Sequence, residues 1–565
     1  MRLVFLLLLC CVSALHAQTF AELVERWESH QPPGHNDAWG IWTNLAEYHE
    51  KEFLTTFIAD LDRISPQQLD PADRINHRLL RFIADDRLFR LSFADHHFSL
   101  DSEGGFLAGI VYTIYGRRVT TDDQLAGYHE LLRRLPRFLR WQEILLRQGA
   151  AAGRQSPQLI VDNCVKQIDR LLELPAYETM FMAVVAGNED YTAKTLPLVQ
   201  DSVYAAYRNI RTYLAGEYRA TAPEAIGISE IKDGKRYYEQ RVRYYTTYDA
   251  TPQEVFDTGR REVARIRAEM EAIITGLNFE GSFADFLNFL RTDPQFYASS
   301  PEELLKEAAW ITKRMEAKLP AYFNHLPRMP LAVEPVPAAL APNYTGGRYS
   351  PGSYAGHRAG EFWVNTYDLP SRPLYVLPAL ALHEGAPGHH TQMMLAAELE
   401  GQPDFRAGLY LSAFGEGWGL YAEYLGREAG IYRTPYEEFG RLTYEMWRAC
   451  RLVVDPGMHY FGWDRDRAVA FLRENTALSL HEVNTEIDRY IGWPAQAVSY
   501  KMGELRIRAL RARAEKKLGD RFDIRAFHDL VLSNGAVTLD LLEEMVDAYI
   551  KKAKKQGGNA GAGKR

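Results

Sequence analysis

Beyond its opening residues this sequence has no apolar run approaching the ~18 residues that a membrane-spanning helix needs, so no integral membrane segment is predicted in the mature chain. Cysteine is scarce, with four in 565 residues, and two of them, Cys10 and Cys11, stand in the opening apolar stretch. That scarcity excludes a disulfide-stapled scaffold. A chain of this length builds a large core without staples, so Cys164 and Cys450 are expected to be free, buried thiols. A basic surplus is missing as well: 66 Lys and Arg stand against 74 Asp and Glu, a net charge of −8. Nucleic-acid binders carry the opposite imbalance, and no nucleic-acid partner is expected.

The one long apolar run lies at the start. Met1-Arg2, the stretch from Leu3 to Leu15, and Ala17 ahead of Gln18 read as a secretory signal peptide over residues 1–17, with export into a bacterial periplasm. A lipoprotein anchor at Cys10 or Cys11 is the runner-up. At the other end, Lys551-Lys552-Ala553-Lys554-Lys555 reads as a fraying helix end, with a disordered tail over 554–565.

Between these ends apolar residues recur every three or four positions, the helical period. Helices are predicted over 36–90, 122–150, 157–174, 194–220, 251–274, 301–317, 376–400, 408–429, 435–453, 465–478, 481–491, 494–516 and 539–553. Thr251-Pro252-Gln253-Glu254 opens one of them with a capping residue, a first-turn proline and a reciprocating glutamate. The expected fold is mainly α: two helical lobes around a deep cleft, an N-terminal lobe at 18–325 and a catalytic helical region at 326–553. The exception is the proline-, glycine- and tyrosine-rich interval 327–373, where 331–336 and 360–366 alternate as short strands do, giving a small hairpin or short sheet. Its edge either hydrogen-bonds an extended peptide or is only structural. Between the strands Tyr344–Gly352 reads as a mobile loop, a candidate lid, with His357 and Arg358 as candidate contacts to a substrate carboxylate.

Chemistry concentrates in His383-Glu384-Gly385-Ala386-Pro387-Gly388-His389-His390. A His-Glu-x-x-His helix puts two imidazoles on one face for Zn²⁺ and a glutamate beside them as general base. Here Pro387-Gly388 interrupts that spacing. A bulge at the pair would absorb two residues and bring His389 back to His383; a continuous helix would select His390 instead. We take His383 and His389 as ligands and Glu384 as base. Three protein ligands are usual for catalytic zinc, and Ala413–Tyr424 supplies a helix with Glu416 set among Gly415, Gly417 and Gly419. Each glycine costs about 1 kcal/mol in a helix, which implies a close neighbour. Glu416 is the expected third ligand. Glu423, two turns on, either holds a ligand histidine or is a surface carboxylate.

The His-Glu-x-x-Pro-Gly-His-His signature, the Glu416-Gly417-Trp418 helix, and the segments Arg451–His459 and Arg489–Gln496 resemble a bacterial family known as domain of unknown function 885. That family is similar to the mainly helical zinc peptidases of the thermolysin-like clan, of the neurolysin and angiotensin-converting types. The resemblance implies a glutamate ligand on the second helix, at Glu416; those relatives lack the Pro-Gly insertion.

Hydrolysis also needs a donor for the oxyanion. His459, after Asp455-Pro456-Gly457 read as a turn, and Tyr490, before Gly492-Trp493-Pro494, are the candidates, with Arg489 and Tyr500 behind them. Together these readings predict a periplasmic zinc hydrolase cleaving short peptides or other small amides. A non-peptidic amidase or esterase would use the same parts, and a degenerate binding protein would retain them without chemistry.

Overall fold

Most of the predicted periodicity becomes helix, and the departures fall where proline or glycine interrupts it. The computed structural model describes residues 19–31, 39, 44–98, 100–101, 104–337, 341 and 344–562, so the expected signal peptide lies outside the described residues. The stretch 36–90 is two helices, Asn44–Asp62 and Pro71–Phe93, parted around Pro66 and Pro71. Thr251 and Glu254 form the anticipated capping box at the head of Pro252–Gly276. The stretch 376–400 breaks into Leu377–Glu384 and His389–Ala397. In the other direction, the helix expected to stop at 453 runs through Pro456 as Pro435–His459. The last helix, Leu539–Ala562, likewise continues through most of the stretch expected to be a disordered tail.

The chain divides into two compact units, Met1–Ser92 and Phe93–Arg565. The predicted lobe 18–325 is therefore not one unit: its residues from 93 onward share the second unit with 326–553. In the first unit, Phe20–Ser29 starts with a Thr19–Glu22 capping box, and Leu23, Leu54, Phe57 and Leu61 are buried completely.

In the second unit, Pro435–His459 is buried along most of its length. Pro252–Gly276 lies against it, with Gly259 facing Leu452 and Val453. Ser412–Glu428 crosses Ser499–Leu518 where Gly417 meets Gly503; a Cβ on Gly417 would come within 2.6 Å of the Gly503 backbone. Buried beside that crossing, Lys501 Nζ lies 2.7 Å from Glu445 and 2.6 Å from Glu504, while Arg441 approaches Glu445 at 2.6 Å. Pairing of this kind is what makes buried charge tolerable.

The sheet has three strands, Leu331–Pro335 (β1), Gly347–Ser350 (β2) and Gly360–Val364 (β3), in the order β1-β3-β2. β1 runs parallel to β3 and β2 antiparallel to it. β2 corrects the reading of Tyr344–Gly352 as a loop. Its four residues are too short a run for alternation to register, and pairing with β3 is what makes them a strand. Among the described residues no helix is long and apolar enough to cross a membrane, and Cys164 and Cys450 are both buried and free.

Candidate metal centre

The first motif helix is capped at Gly385, and the second starts after Gly388. The break therefore spans Gly385 to Gly388, wider than a two-residue bulge. Gly388 has a steric reason to be glycine: a Cβ there would lie 1.9 Å from the His383 carbonyl oxygen and 2.4 Å from that of Leu382. Trp418, from the neighbouring helix, donates its indole N–H to the Pro387 carbonyl at 2.8 Å and so fixes the break in place.

This break turns His389 toward His383, their ring centroids 4.8 Å apart and perpendicular. Both point at Glu416: His383 Nε2 and His389 Nε2 each lie 3.5 Å from Glu416 Oε2. One ligand atom from each of the three lies within 4.8 Å of the others. A tetrahedral zinc with bonds of about 2.1 Å has ligand atoms about 3.4 Å apart, so the donor types and the two histidine–glutamate separations fit the ion.

Each member is held from behind. His383 Nδ1 pairs with Glu423 Oε1 at 2.7 Å, and Glu423 is buried rather than at the surface. Gly419 makes room for the His383 ring, since a Cβ there would meet it at 2.6 Å. Tyr410 donates its hydroxyl to Glu416 Oε1 at 2.6 Å. Glu384 does not join the three; its Oε2 accepts the backbone N–H of Tyr349, on β2, at 2.8 Å. Burial works against charge on Glu416, but the facing imidazoles outweigh it and keep the carboxyl well below the usual carboxylate range. On His383, burial is likewise outweighed by Glu416 and Glu423, which raise the imidazole to about 9. The cluster is thus an electrostatic well for a cation.

His390 faces elsewhere. Its Nδ1 lies 3.0 Å from the Tyr349 hydroxyl and its Nε2 3.1 Å from the Met329 carbonyl.

Two expectations need correction. His459 does not follow a turn; it ends the long helix, completely buried. Its Nδ1 accepts from Ile228 N–H and its Nε2 donates to the Tyr490 carbonyl, leaving neither nitrogen for a substrate. Tyr490 is buried too, its hydroxyl donating to Glu486 at 2.5 Å while accepting from Arg451 at 2.8 Å and Trp447 at 3.1 Å. Neither supplies an oxyanion donor. Arg489 is engaged with Gln496 at 2.6 Å. Arg358 is spent on its own loop, at Ser350, Pro351 and Glu361, and His357 is an exposed residue with positive φ.

Tyr500 is different. It lies three residues before Gly503, where its helix crosses the Glu416 helix, and its ring packs against the Arg451 guanidinium, 4.4 Å from the ring centroid. Among the described residues its hydroxyl has no hydrogen-bond partner. Tyr349 and Tyr410 carried no sequence signal: one acts through its backbone, and the other precedes its helix in an irregular turn.

The chain has solved relatives. Its structure resembles the crystal structure of a protein from Colwellia psychrerythraea described as a candidate lipoprotein, with a TM-score of 0.83 and 27% identity over 90% of this chain and 92% of that one. A Shewanella oneidensis structure, described as a candidate lipoprotein of unknown function, shares the fold at a TM-score of 0.73 and 16% identity, covering 94% of this chain and 99% of its own. Among curated proteins no significant match is found. The family model described as "Bacterial protein of unknown function (DUF885)" matches residues 28–546, and this chain belongs to that family.

Proposed function

We propose that this protein is a zinc-dependent hydrolase of the bacterial cell envelope, acting in the periplasm on amide bonds of short peptides. The observation that carries the reading is the convergence of His383, His389 and Glu416, each imidazole Nε2 3.5 Å from Glu416 Oε2 and one ligand atom from each of the three within 4.8 Å of the others, with Glu384 next in sequence but outside the set. The order of a His-Glu helix followed by a glutamate helix supports the likeness to helical peptidases of the thermolysin-like clan. The lipoprotein descriptions of the two related structures support an envelope location.

Bound among these three side chains, Zn²⁺ would act as a Lewis acid toward a carbonyl and make a water acidic near neutral pH. The remaining work belongs to the chain. Glu423 holds His383 in the tautomer that leaves Nε2 free to coordinate. Tyr410 fixes the unused oxygen of Glu416. Glu384, aimed by the Tyr349 N–H, accepts a proton from water and returns it to the departing amine nitrogen. Tyr500, with its uncommitted hydroxyl, takes the oxyanion role for which His459 and Tyr490 are unavailable.

The test is metal analysis of the purified protein beside turnover of a mixed peptide library. About one zinc per chain is expected, from the three-ligand set. Glu384→Gln should keep the metal and lose most turnover, and chelation should abolish activity and lower the melting temperature. A chain that takes up no zinc near neutral pH, or a Glu384→Gln variant with full turnover, overturns the reading.

A further inference from the structure

Among the described residues, four arginines around the centre have an acidic or carbonyl partner and Arg348 does not. Arg451 pairs with Glu486, Arg448 approaches Glu423 at 3.9 Å, Arg358 pairs with Glu361 and Arg489 bonds Gln496. Arg348, on β2, makes no ion pair and no side-chain hydrogen bond among the described residues. Its position is nonetheless set closely. The next residue, Tyr349, is the one whose N–H holds Glu384. Strand alternation sends the two side chains to opposite faces: Tyr349 is buried toward His390, while Arg348 is exposed, 5.6 Å from the centroid of the Tyr344 ring. Burial works against its charge, and the Tyr344, Glu384 and Tyr500 side chains act the other way and outweigh it.

We propose that Arg348 is a specificity residue that anchors a carboxylate of the substrate beside the scissile bond. The inference rests on the hydrolase reading for what is cleaved, but not for what is bound. Arg448 already faces Glu423, but Glu384 forms no ion pair among the described residues, so a substrate carboxylate approaching it would be repelled without a cation close by. Arg348 supplies that cation. Its planar fork of N–H donors suits two carboxylate oxygens at once, a match that lysine does not reproduce. Two sources share this chemistry: the free C-terminus of a short peptide, and an acidic side chain within it.

Binding to the metal-free, full mature chain tests the proposal without requiring turnover. Titration calorimetry would compare Ala-Ala-Phe, its C-terminal amide, and the amide of Ala-Glu-Phe. The wild-type chain should bind one carboxylate-bearing peptide about tenfold more tightly than the carboxylate-free amide, the size expected for one charged hydrogen-bonded contact. Preference for Ala-Ala-Phe alone identifies the C-terminus; preference extending to the Glu-containing amide identifies the side chain. Arg348→Gln should erase the preference, Arg348→Lys should keep only part of it, and Arg358→Gln should leave it intact. No preference in the wild type, including no measurable binding of any of the three peptides, overturns the proposal, as does an Arg348→Gln variant that retains the preference. Failure of the hydrolase reading shows elsewhere, as absent zinc or an active Glu384→Gln variant.

Discussion

At His383 the two ring nitrogens do different work. Nδ1 is tied to a buried glutamate and Nε2 faces the cluster, whereas both nitrogens of His390 are taken by Tyr349 and Met329. His389→Ala should therefore strip zinc, while His390→Ala should leave about one zinc per chain; elemental analysis of the two variants decides it, and the reverse pattern would put His390 in the site. Glu423→Gln keeps the shape but weakens the hold on His383. It should lower zinc affinity roughly 10- to 100-fold, the usual cost of losing an outer partner, measured by competition with a chromophoric chelator. The three clustered residues were legible because each belongs to a short local motif. His459 and Tyr490 misled for a physical reason: their hydrogen bonds come from residues distant in the chain, Ile228 and Arg451 among them, and nothing local reports such saturation.

For the helices the informative residues are the glycines. Ser412–Glu428 tolerates Gly417 and Gly419 because a backbone and an imidazole ring occupy the space their side chains would need. Gly419→Ala should push the His383 ring away. We expect far-ultraviolet circular dichroism close to wild type with zinc affinity down at least about tenfold, since an overpacked contact forces a shift of the neighbouring group; unchanged affinity would mean that the ring has room to move. The interrupted motif helix shows the same logic in reverse. Pro387-Gly388 announced a break, but its extent depends on Gly388 lying against the Leu382 and His383 carbonyls and on Trp418 reaching across to Pro387. Pro456 sent the wrong message: it lacks an N–H, yet Pro435–His459 continues through it. Asp455, one residue earlier, is held by the Tyr238 hydroxyl at 2.5 Å and Ala495 N–H at 3.1 Å, contacts from other elements that secure the helix there.

Across the whole molecule, buried titratable groups set how stability responds to acid. His459 and His528 are buried neutral, and burial pulls them down to about 4 and about 3. In the unfolded chain histidine titrates near 6.5. Between about pH 6.5 and 4 the unfolded chain therefore gains two protons that the folded chain refuses, and stability falls as pH drops. Asp455 opposes this: burial pushes it up to about 7, so the folded chain holds a proton that the unfolded one has released. Among these three groups two against one leaves a loss of about 1.4 kcal/mol per pH unit, and His390 and His129, also lowered by burial, act in the same direction. Urea midpoints of the metal-free protein at pH 6.5, 5.5 and 4.5 should decline in step; a flat or rising series would contradict the assignment. Replacing His528, which accepts from the Tyr421 hydroxyl at 2.7 Å and donates to the Tyr322 carbonyl at 2.9 Å, with glutamine should flatten the decline.

Helix content, the capped start at Thr251, the glycine-lined neighbour helix and the residues that gather at the centre were all determined by the sequence alone, because each depends on spacing within a few turns of one chain segment. Tertiary structure decided the rest. Which histidine clusters with His383 and Glu416 was decided by how far the break at Gly385–Gly388 turns the second helix, and β2 exists only because β3 pairs with it. Burial of His459 and Tyr490, the aim of Glu384 and the unpaired state of Arg348 follow from partners supplied by other elements. A local pattern records which chemical groups a segment carries; whether a group is spent or available depends on what the fold sets against it.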